Sequence, residues 1–485
     1  MKDLQPAPVW NYFDDILKIP RLSKHEENIL EYLEKFAAYH QLETQKDRAG
    51  NMVIRKPAQP GYEDRETVVL QSHVDMVGEK LAEVEHDFHR DPIEAVFDEG
   101  WVKAKGTTLG ADDGIGIAAS LAVLASKEIK HGPLECLFTV DEETGMTGAF
   151  GLQPGFLEGK ILLNLDSEDE GEIFIGCAGG IDTLGRFKTK VKRIPRHKHA
   201  FTIRVTGLRG GHSGDEIHKG FGNAIKLLNR FLWNADKRFT IRIASFEGGK
   251  LRNAIPREAA ATLVLTDKTA NLLRIYFESY KSTVSQELAG IEPGFDMIME
   301  EETNIPEFGF TRKFQRTLMN MIYACPHGVI GWSSEIDGLV ETSTNLAVMR
   351  MKGEEEVEIL TSQRSSVESA KRDIADRISA LFQLAGGDVI HSDGYPGWKP
   401  DPSSRILQIS EKIYKELFNQ EPEVKAIHAG LECGLFLEKY PELDMISFGP
   451  TILGAHTPDE RLDIKTVKKF WDFLLKILEE TPEKK

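Results

Sequence analysis

The sequence is short of cysteine and of positive charge. Its four cysteines, Cys136, Cys177, Cys325 and Cys433, are scattered through 485 residues with no Cys-x-x-Cys pair. That excludes a disulfide framework and makes a reducing cytoplasm the simplest home. A net charge of −17 argues against a nucleic-acid partner, whose phosphates demand a basic face. No run approaches the ~18 apolar residues of a membrane span, and Met1 to Pro6 lacks the apolar core of a secretory signal. The stretch Gly207 to Gly214 lacks the Gly-Lys-Ser/Thr ending of a phosphate loop and is not Gly-x-Ser-x-Gly. His25-Glu26-Glu27 has no second histidine at zincin spacing, and His86-Asp87-Phe88-His89 lacks supporting acids; both read as surface residues.

What is present fits a globular protein, at 41% hydrophobic and 28% charged. The length exceeds the ~250–300 residues at which one core stops growing, so two domains are expected. In the N-terminal third, helical and strand signals alternate. Ile29, Leu30, Leu33 and Phe36 share one helical face, and 115–124 is a small-residue apolar helix. Short apolar runs at 68–70, 134–140 and 161–163 read as buried strands. This pattern predicts an α/β fold with a mixed, largely parallel sheet sandwiched by helices.

The character turns basic and polar from Arg186-Phe187-Lys188 through Arg196-His197-Lys198-His199, as at a domain crossing. Beyond it come a strand at 201–205, helices at 224–233 and 270–284, and then a second strand–helix pattern at 346–351, 357–360 and 367–384. These suggest an α+β domain of two similar, ferredoxin-like halves. The glycine-rich breaks Gly386-Gly387 and Gly394 to Gly397 follow, and the α/β style resumes with a helix at 405–418, a strand at 445–448 and a helix at 464–478. We therefore expect one catalytic domain, 1–186 and 391–485, interrupted by an insertion over 187–390.

Acidic residues gather where strands end. His73 and Asp75 are two apart on one strand and share a face, so Asp75 can accept the second ring proton of His73 and leave its other nitrogen for a metal. Further clusters are Asp112-Asp113, Glu142-Glu143 and Asp166 to Glu168, and His456 follows in the tail. Each alone is an ordinary polar pair, turn or helix cap. Together they place histidines and acids where open α/β sheets bind ligands, and divalent cations turn the mutual repulsion of such carboxylates into binding.

At these residues the sequence resembles the aminoacyl-histidine (Xaa-His, β-alanyl-histidine) dipeptidases of the co-catalytic zinc aminoacylase and carboxypeptidase superfamily. The resemblance runs through His-x-Asp-Met at 73, Gly-Thr-Thr-Leu-Gly-Ala-Asp at 106, Glu-Glu-x-Gly-Met at 142, Gly-Cys-Ala-Gly-Gly-Ile-Asp at 176, Gly-Gly-His-Ser-Gly at 210, Arg-Asn-Ala-Ile-Pro-Arg-Glu at 252 and His-Ala-Gly-Leu-Glu-Cys-Gly-Leu-Phe at 428. It implies a zinc-peptidase catalytic domain with an inserted lid and dimerisation domain, two Zn²⁺ per subunit and a homodimer. His73 and Asp166 would hold one zinc, Glu143 and His456 the other, and Asp112 would bridge them. Mn²⁺ or Co²⁺ could substitute. Glu142 would serve as general base towards a bridging hydroxide, and Asp75 would orient His73. The bond Asp112-Asp113 would be cis, with Asp113 standing where some relatives carry Asn.

From the inserted domain the resemblance implies His212 as a donor to the oxyanion, with Asn253 assisting, and Arg364 as the grip on the substrate's terminal carboxylate. Glu432 is our own candidate for the partner of the free amino group. The expected substrate is an unblocked dipeptide, with no nucleic acid and no membrane involved. An N-acyl amino acid amidohydrolase on the same scaffold, or a non-catalytic metal- or peptide-binding protein, are the alternatives.

Overall fold

The computed structural model describes residues 1, 3–194, 199–353 and 355–484. The chain forms two compact units. One comprises Met1–Cys177, Trp398–Ala426 and Leu431–Lys485, the other Ala178–Gly397 and Ile427–Gly430.

The first unit is built on an eight-stranded mixed sheet. Its centre is parallel: Leu134–Thr139, Val68–His73, Ile161–Asn164 and Asp444–Ser447 lie side by side in that order. Met52–Lys56 extends it antiparallel at one flank and Glu172–Cys177 at the other. Side chains of a strand alternate between faces, so a strand buried at every residue must be covered on both. Val68–His73 and Leu134–Thr139 are buried at all positions. Their carboxyl ends run together, which brings the residues after each strand to one edge.

Local sequence explains the covering helices. Ala111–Ala125 is almost wholly buried, and its alanines and glycines let it sit close to the sheet and to the helix Ala7–Ile16. Arg405–Phe418 and Ile464–Glu479 are amphipathic and pack together, each started by a side-chain cap, Ser404 accepting from Leu407 N and Asp463 from Lys465 N.

The second unit is a nine-stranded sheet. His199–Thr206, Arg242–Gly248, Ala259–Leu265 and Asp296–Glu301 alternate with the helices Ala224–Phe239 and Asp267–Leu288 as strand–helix–strand–strand–helix–strand. In the sheet they lie in the order fourth, first, third, second, all antiparallel, the ferredoxin-like arrangement. Gly179–Lys188, Val340–Lys352, Glu356–Ser365 and Asp388–His391 repeat that order, with the helices Arg312–Ala324 and Glu368–Leu384. The second half is thus interrupted after its first strand by the whole of the first half. The helices share one apolar cluster, in which Phe231, Phe277, Leu318 and Phe382 meet Phe201, Phe246, Leu346 and Ile359 of the strands.

The basic stretch read as a crossing divides: Arg186, Phe187 and Lys188 close the strand Gly179–Lys188, and residues 195–198 lie outside the described residues. Glu26, read as a surface residue, is buried at 7% exposure and accepts from the backbone of Lys24 and Asp141. Two such donors replace the water it loses. Cys136 and Cys177 are fully buried. Among the described residues no helix is long and apolar enough to cross a membrane.

Candidate functional site

The strand Val68–His73 carries His73 at its last position, fully buried. Three neighbouring segments bring acids to it. His73 Nε2 lies 2.8 Å from Asp112 Oδ1 and 3.3 Å from Asp166 Oδ1. On the far side of the same carboxylate, Asp112 Oδ2 is 3.1 Å from His456 Nε2, which is also 2.9 Å from Glu143 Oε2. One aspartate therefore faces two imidazoles, one through each oxygen. Ligand atoms of His73, Asp112 and Asp166, of Asp112, Glu143 and His456, and of His73, Glu142 and Glu143 each lie within 4.8 Å of one another.

The segments are held by groups that are not part of those clusters. Asp75 Oδ1 faces His73 Nδ1 at 3.4 Å, and its carboxylate accepts from the backbone N–H of Glu142 and Glu143 and from Ser23 Oγ. Burial pushes Asp75 up, but the hydrogen bond and charge of His73 outweigh it and hold the acid down at about 2. Arg21, 1% exposed, donates to the carbonyls of Val74, Asp75 and Gly110 at 3.0, 2.6 and 2.5 Å. Glu460 accepts from the backbone N–H groups of Leu109, Gly110, Ala111 and Asp112. A Cβ on Gly110, at φ 72°, would stand 2.7 Å from the Arg21 guanidinium, so that turn requires glycine. The Asp112–Asp113 peptide is cis, as the resemblance implies. His456 and Asp141 hold left-handed φ values of 61° and 53°, a region that Asp and His enter more readily than most residues other than glycine.

The electrostatics are those of crowded acids. Burial, against the pull of His73, raises Asp166 to about 7. Burial also raises Glu142, reinforced by Asp166, Glu432 and Glu143 and opposed by His73. Hydrogen bonds to Asp112 and Glu143 raise His456 to about 11. Two imidazole nitrogens and several carboxylate oxygens form a donor set that Zn²⁺ accepts, and Glu143 Oε1 is buried without a hydrogen-bond partner. The residues fit a pair of divalent cations sharing Asp112.

Glu432 opens the helix Glu432–Lys439 and is 1% exposed. Its Oε2 accepts from Gln71 Nε2 and Thr139 Oγ1, both at 2.7 Å, while Oε1 has no partner. Burial raises it to about 8. His212, Asn253 and Arg364 belong to the second unit. The backbone joins the loops of the first two, Ser213 N–H donating to Asn253 O at 2.8 Å and Ile255 N–H to Gly211 O at 2.9 Å. His212 Nδ1 lies 2.7 Å from Asp215 Oδ2, and Asp215, pushed up by burial but held down on balance by His212, also lies within reach of the Arg364 charge.

Sequence reasoning missed Arg21, Ser23 and Glu460. Arg21 and Ser23 carry no local signal, because their partners are backbone carbonyls and a carboxylate more than fifty residues away. Glu460 had one, standing four residues after His456 in an otherwise small, polar loop.

A family model described as Peptidase family M20/M25/M40 matches residues 69–480. The cytosol non-specific dipeptidase of Escherichia coli is 44% identical over 484 residues, covering 100% of this chain and 99% of that protein. The crystal structure of the aminoacylhistidine dipeptidase from Vibrio alginolyticus superposes with a TM-score of 0.93 at 46% identity, over 100% of this chain and 98% of that one. A tripeptidase from Staphylococcus aureus, at 16% identity and a TM-score of 0.56 over 98% of both chains, shares the fold.

Proposed function

Since the chain belongs to peptidase family M20/M25/M40, it is a peptide-bond hydrolase, and we propose that it cleaves unblocked dipeptides, Xaa-His compounds such as β-alanyl-histidine among them, at a dinuclear zinc centre. The observation that carries this reading is the shared carboxylate, Asp112 Oδ1 at 2.8 Å from His73 and Oδ2 at 3.1 Å from His456. His73, Asp112 and Asp166 would hold one cation, and Asp112, Glu143 and His456 the other. Bound there, two divalent cations would polarise the scissile carbonyl and lower the pKa of a water molecule from 15.7 to about 7.

The chain's own groups then account for the proton transfers and the substrate's orientation. Glu142 takes the proton of the attacking water at its carboxylate and returns it to the leaving amine. Asp75 fixes the His73 ring and the Glu142–Glu143 backbone together. His212 donates to the oxyanion with Asn253 beside it, Arg364 pairs with the C-terminal carboxylate, and Glu432 accepts the free amino group. The relatives' names support the dipeptide class: one is called non-specific, the other aminoacylhistidine dipeptidase. The word cytosol in the first supports a cytoplasmic enzyme, and we expect a homodimer formed through the second unit, the lid and dimerisation domain of the resemblance.

A second reading, an N-acyl amino acid amidohydrolase, is favoured by the burial of Glu432 at 1% exposure, which leaves little room for a charged amine. Hydrolysis of Ala-His against acetyl-His, with metal content measured before and after chelation, separates the two. Cleavage of Ala-His alone, lost on chelation and restored by Zn²⁺, is the expected result. Cleavage of acetyl-His alone would install the second reading, and activity indifferent to chelation would remove the metal centre.

A further inference from the structure

The loop that carries His212 is fixed at its ends and in its middle. Glu292, 2% exposed, accepts from the Arg209 N–H at 2.8 Å through one oxygen and from the Gly222 N–H at 2.9 Å through the other, so a single buried carboxylate closes residues 209–222. Within them Glu216 accepts from the His212 N–H at 2.9 Å. A Cβ on Gly214 would stand 2.3 Å from the His428 carbonyl oxygen, an approach that only glycine allows. The backbone from His212 to Asp215 is thereby held in one place, and it sets the two side chains 2.7 Å apart, Nδ1 to Oδ2.

That distance locates a proton. Two groups face His212 Nδ1, the Asp215 carboxylate at 2.7 Å and the Asp215 backbone N–H at 3.3 Å, and they make opposite demands. The carboxylate takes an N–H, whereas the backbone N–H takes a lone pair. The shorter contact has the length of a charge-assisted hydrogen bond and the longer one lies past the usual range, so Nδ1 carries the proton. Burial opposes the charge of Asp215, but His212 and then Arg364 outweigh it, with His428 the other titratable group nearby. Glu216 is occupied by the His212 backbone and by Lys219.

The state of Nε2 follows. A neutral ring protonated on Nδ1 offers a lone pair at Nε2 and cannot donate there; only the imidazolium has an N–H on both sides. Among the described residues Nε2 has no hydrogen-bond partner, and the side chain, 32% exposed, opens together with Asn253 onto a cavity of about 850 Å³. A donor to an oxyanion at this position must be a cation, and a carboxylate in contact with its far nitrogen favours that form.

We propose that Asp215 is a positioning residue for the oxyanion step, its carboxylate accepting Nδ1–H and holding His212 as an imidazolium whose Nε2–H meets the negative charge developing on the scissile carbonyl oxygen. The proposal rests on the dipeptidase reading above, in which His212 is that donor. Because the charge it answers appears only in the transition state, its contribution belongs to kcat rather than KM.

The test uses the full-length, zinc-loaded enzyme on Ala-His, with D215N, D215E, H212Q and the double variant H212Q/D215N. Asparagine keeps an acceptor for Nδ1–H and loses the charge; glutamate keeps the charge. H212Q is expected to lower kcat by about 10²–10³ and D215N by about tenfold or more, both with KM and zinc content little changed, while D215E recovers part of the loss. In the H212Q background D215N should cost nothing further, since it acts through that ring. The proposal is overturned if D215N keeps the parent's kcat, if D215E is impaired as much as D215N, if D215N raises KM or releases zinc in step with its loss of kcat, or if D215N costs as much without His212 as with it. If H212Q loses turnover and D215N does not, the Asp215 assignment fails and the reading of His212 stands. If H212Q keeps the parent's kcat, His212 is not the donor and both fail, and if the parent does not cleave Ala-His, the dipeptidase reading itself fails.

Discussion

The Asp75 carboxylate accepts the backbone N–H of Glu142 at 3.0 Å. The same carboxylate accepts from Glu143 at 3.2 Å and faces His73 Nδ1 at 3.4 Å, so one side chain sets a candidate ligand, a second ligand's backbone and the candidate base. An aspartate is suited to this because both oxygens are acceptors only. Ser23 fills the remaining direction at 2.8 Å.

Asp75→Asn tests that arrangement. The amide keeps the size but turns one acceptor into a donor, which opposes either the imidazole N–H or a backbone N–H. We expect zinc affinity to fall about 10- to 100-fold, in line with other groups that orient a metal-bound histidine, with a larger loss in kcat/KM because Glu142 moves as well. Zinc retained after dialysis against graded chelator, measured beside activity, reports both. Parental values in both would show that Asp75 orients nothing.

Glu142→Gln separates base from ligand. Glu142 is absent from both clusters around Asp112, yet its carboxylate lies within 4.8 Å of atoms of His73 and Glu143. If it only moves protons, kcat falls by about 10²–10⁴ while two zinc ions per subunit remain. Loss of zinc in step with activity would reassign Glu142 as a ligand.

The parts of the fold legible in the sequence were those where periodicity is undiluted. Ala111–Ala125 and Arg405–Phe418 are amphipathic or wholly buried over many turns. Glu43–Lys46, Asp388–His391 and Glu423–Ile427 are short, exposed or half-buried strands with no buried apolar run to read, because edge pairing rather than burial makes them strands. The half-interrupted topology of the second unit was equally hidden, since Gly179–Lys188 pairs with residues near 360 and pairing over that distance leaves no local trace. His73, Glu143 and Asp166, singled out at strand ends, stand together because the parallel strands end together, and Asp112 from the first turn of Ala111–Ala125 and His456 from the tail lie against them. What supports them from below, Arg21 above all, works through backbone groups, and backbone groups look the same in every sequence.

Arg21 therefore makes its own prediction. Arg21→Met leaves the carbonyls of Val74, Asp75 and Gly110 buried without a donor, and it removes the cation that faces Asp75, Glu460, Asp112 and Asp113. Breaking a buried charge-assisted network of this kind costs about 3–5 kcal/mol. Arg21→Lys should recover only part, since an ammonium lacks the planar fork that reaches both segments. Urea unfolding of the chelator-stripped protein measures this loss apart from metal binding. An unchanged midpoint for Arg21→Met would mean that the ligand-bearing turns hold themselves in place.

Acid should weaken the protein at a point remote from that constellation. His131 is fully buried, its Nδ1–H donates to Gly132 O at 2.6 Å, and Nε2 has no partner. Burial, with the nearby Lys56 charge, pushes it down to about 4. The unfolded chain binds a proton there at about 6.5, before the folded chain does. The neutral ring's contribution is therefore complete above that value and is lost as pH falls from 6.5 towards 4, at up to about 1.4 kcal/mol per pH unit. His131→Asn keeps a donor for Gly132 and cannot titrate. The stability gap between parent and His131→Asn, both stripped of metal so that ligand protonation cancels, should shift against the parent by that slope across this window. A gap independent of pH would show that His131 accepts its proton as readily in the folded protein as in the unfolded chain, which its burial forbids.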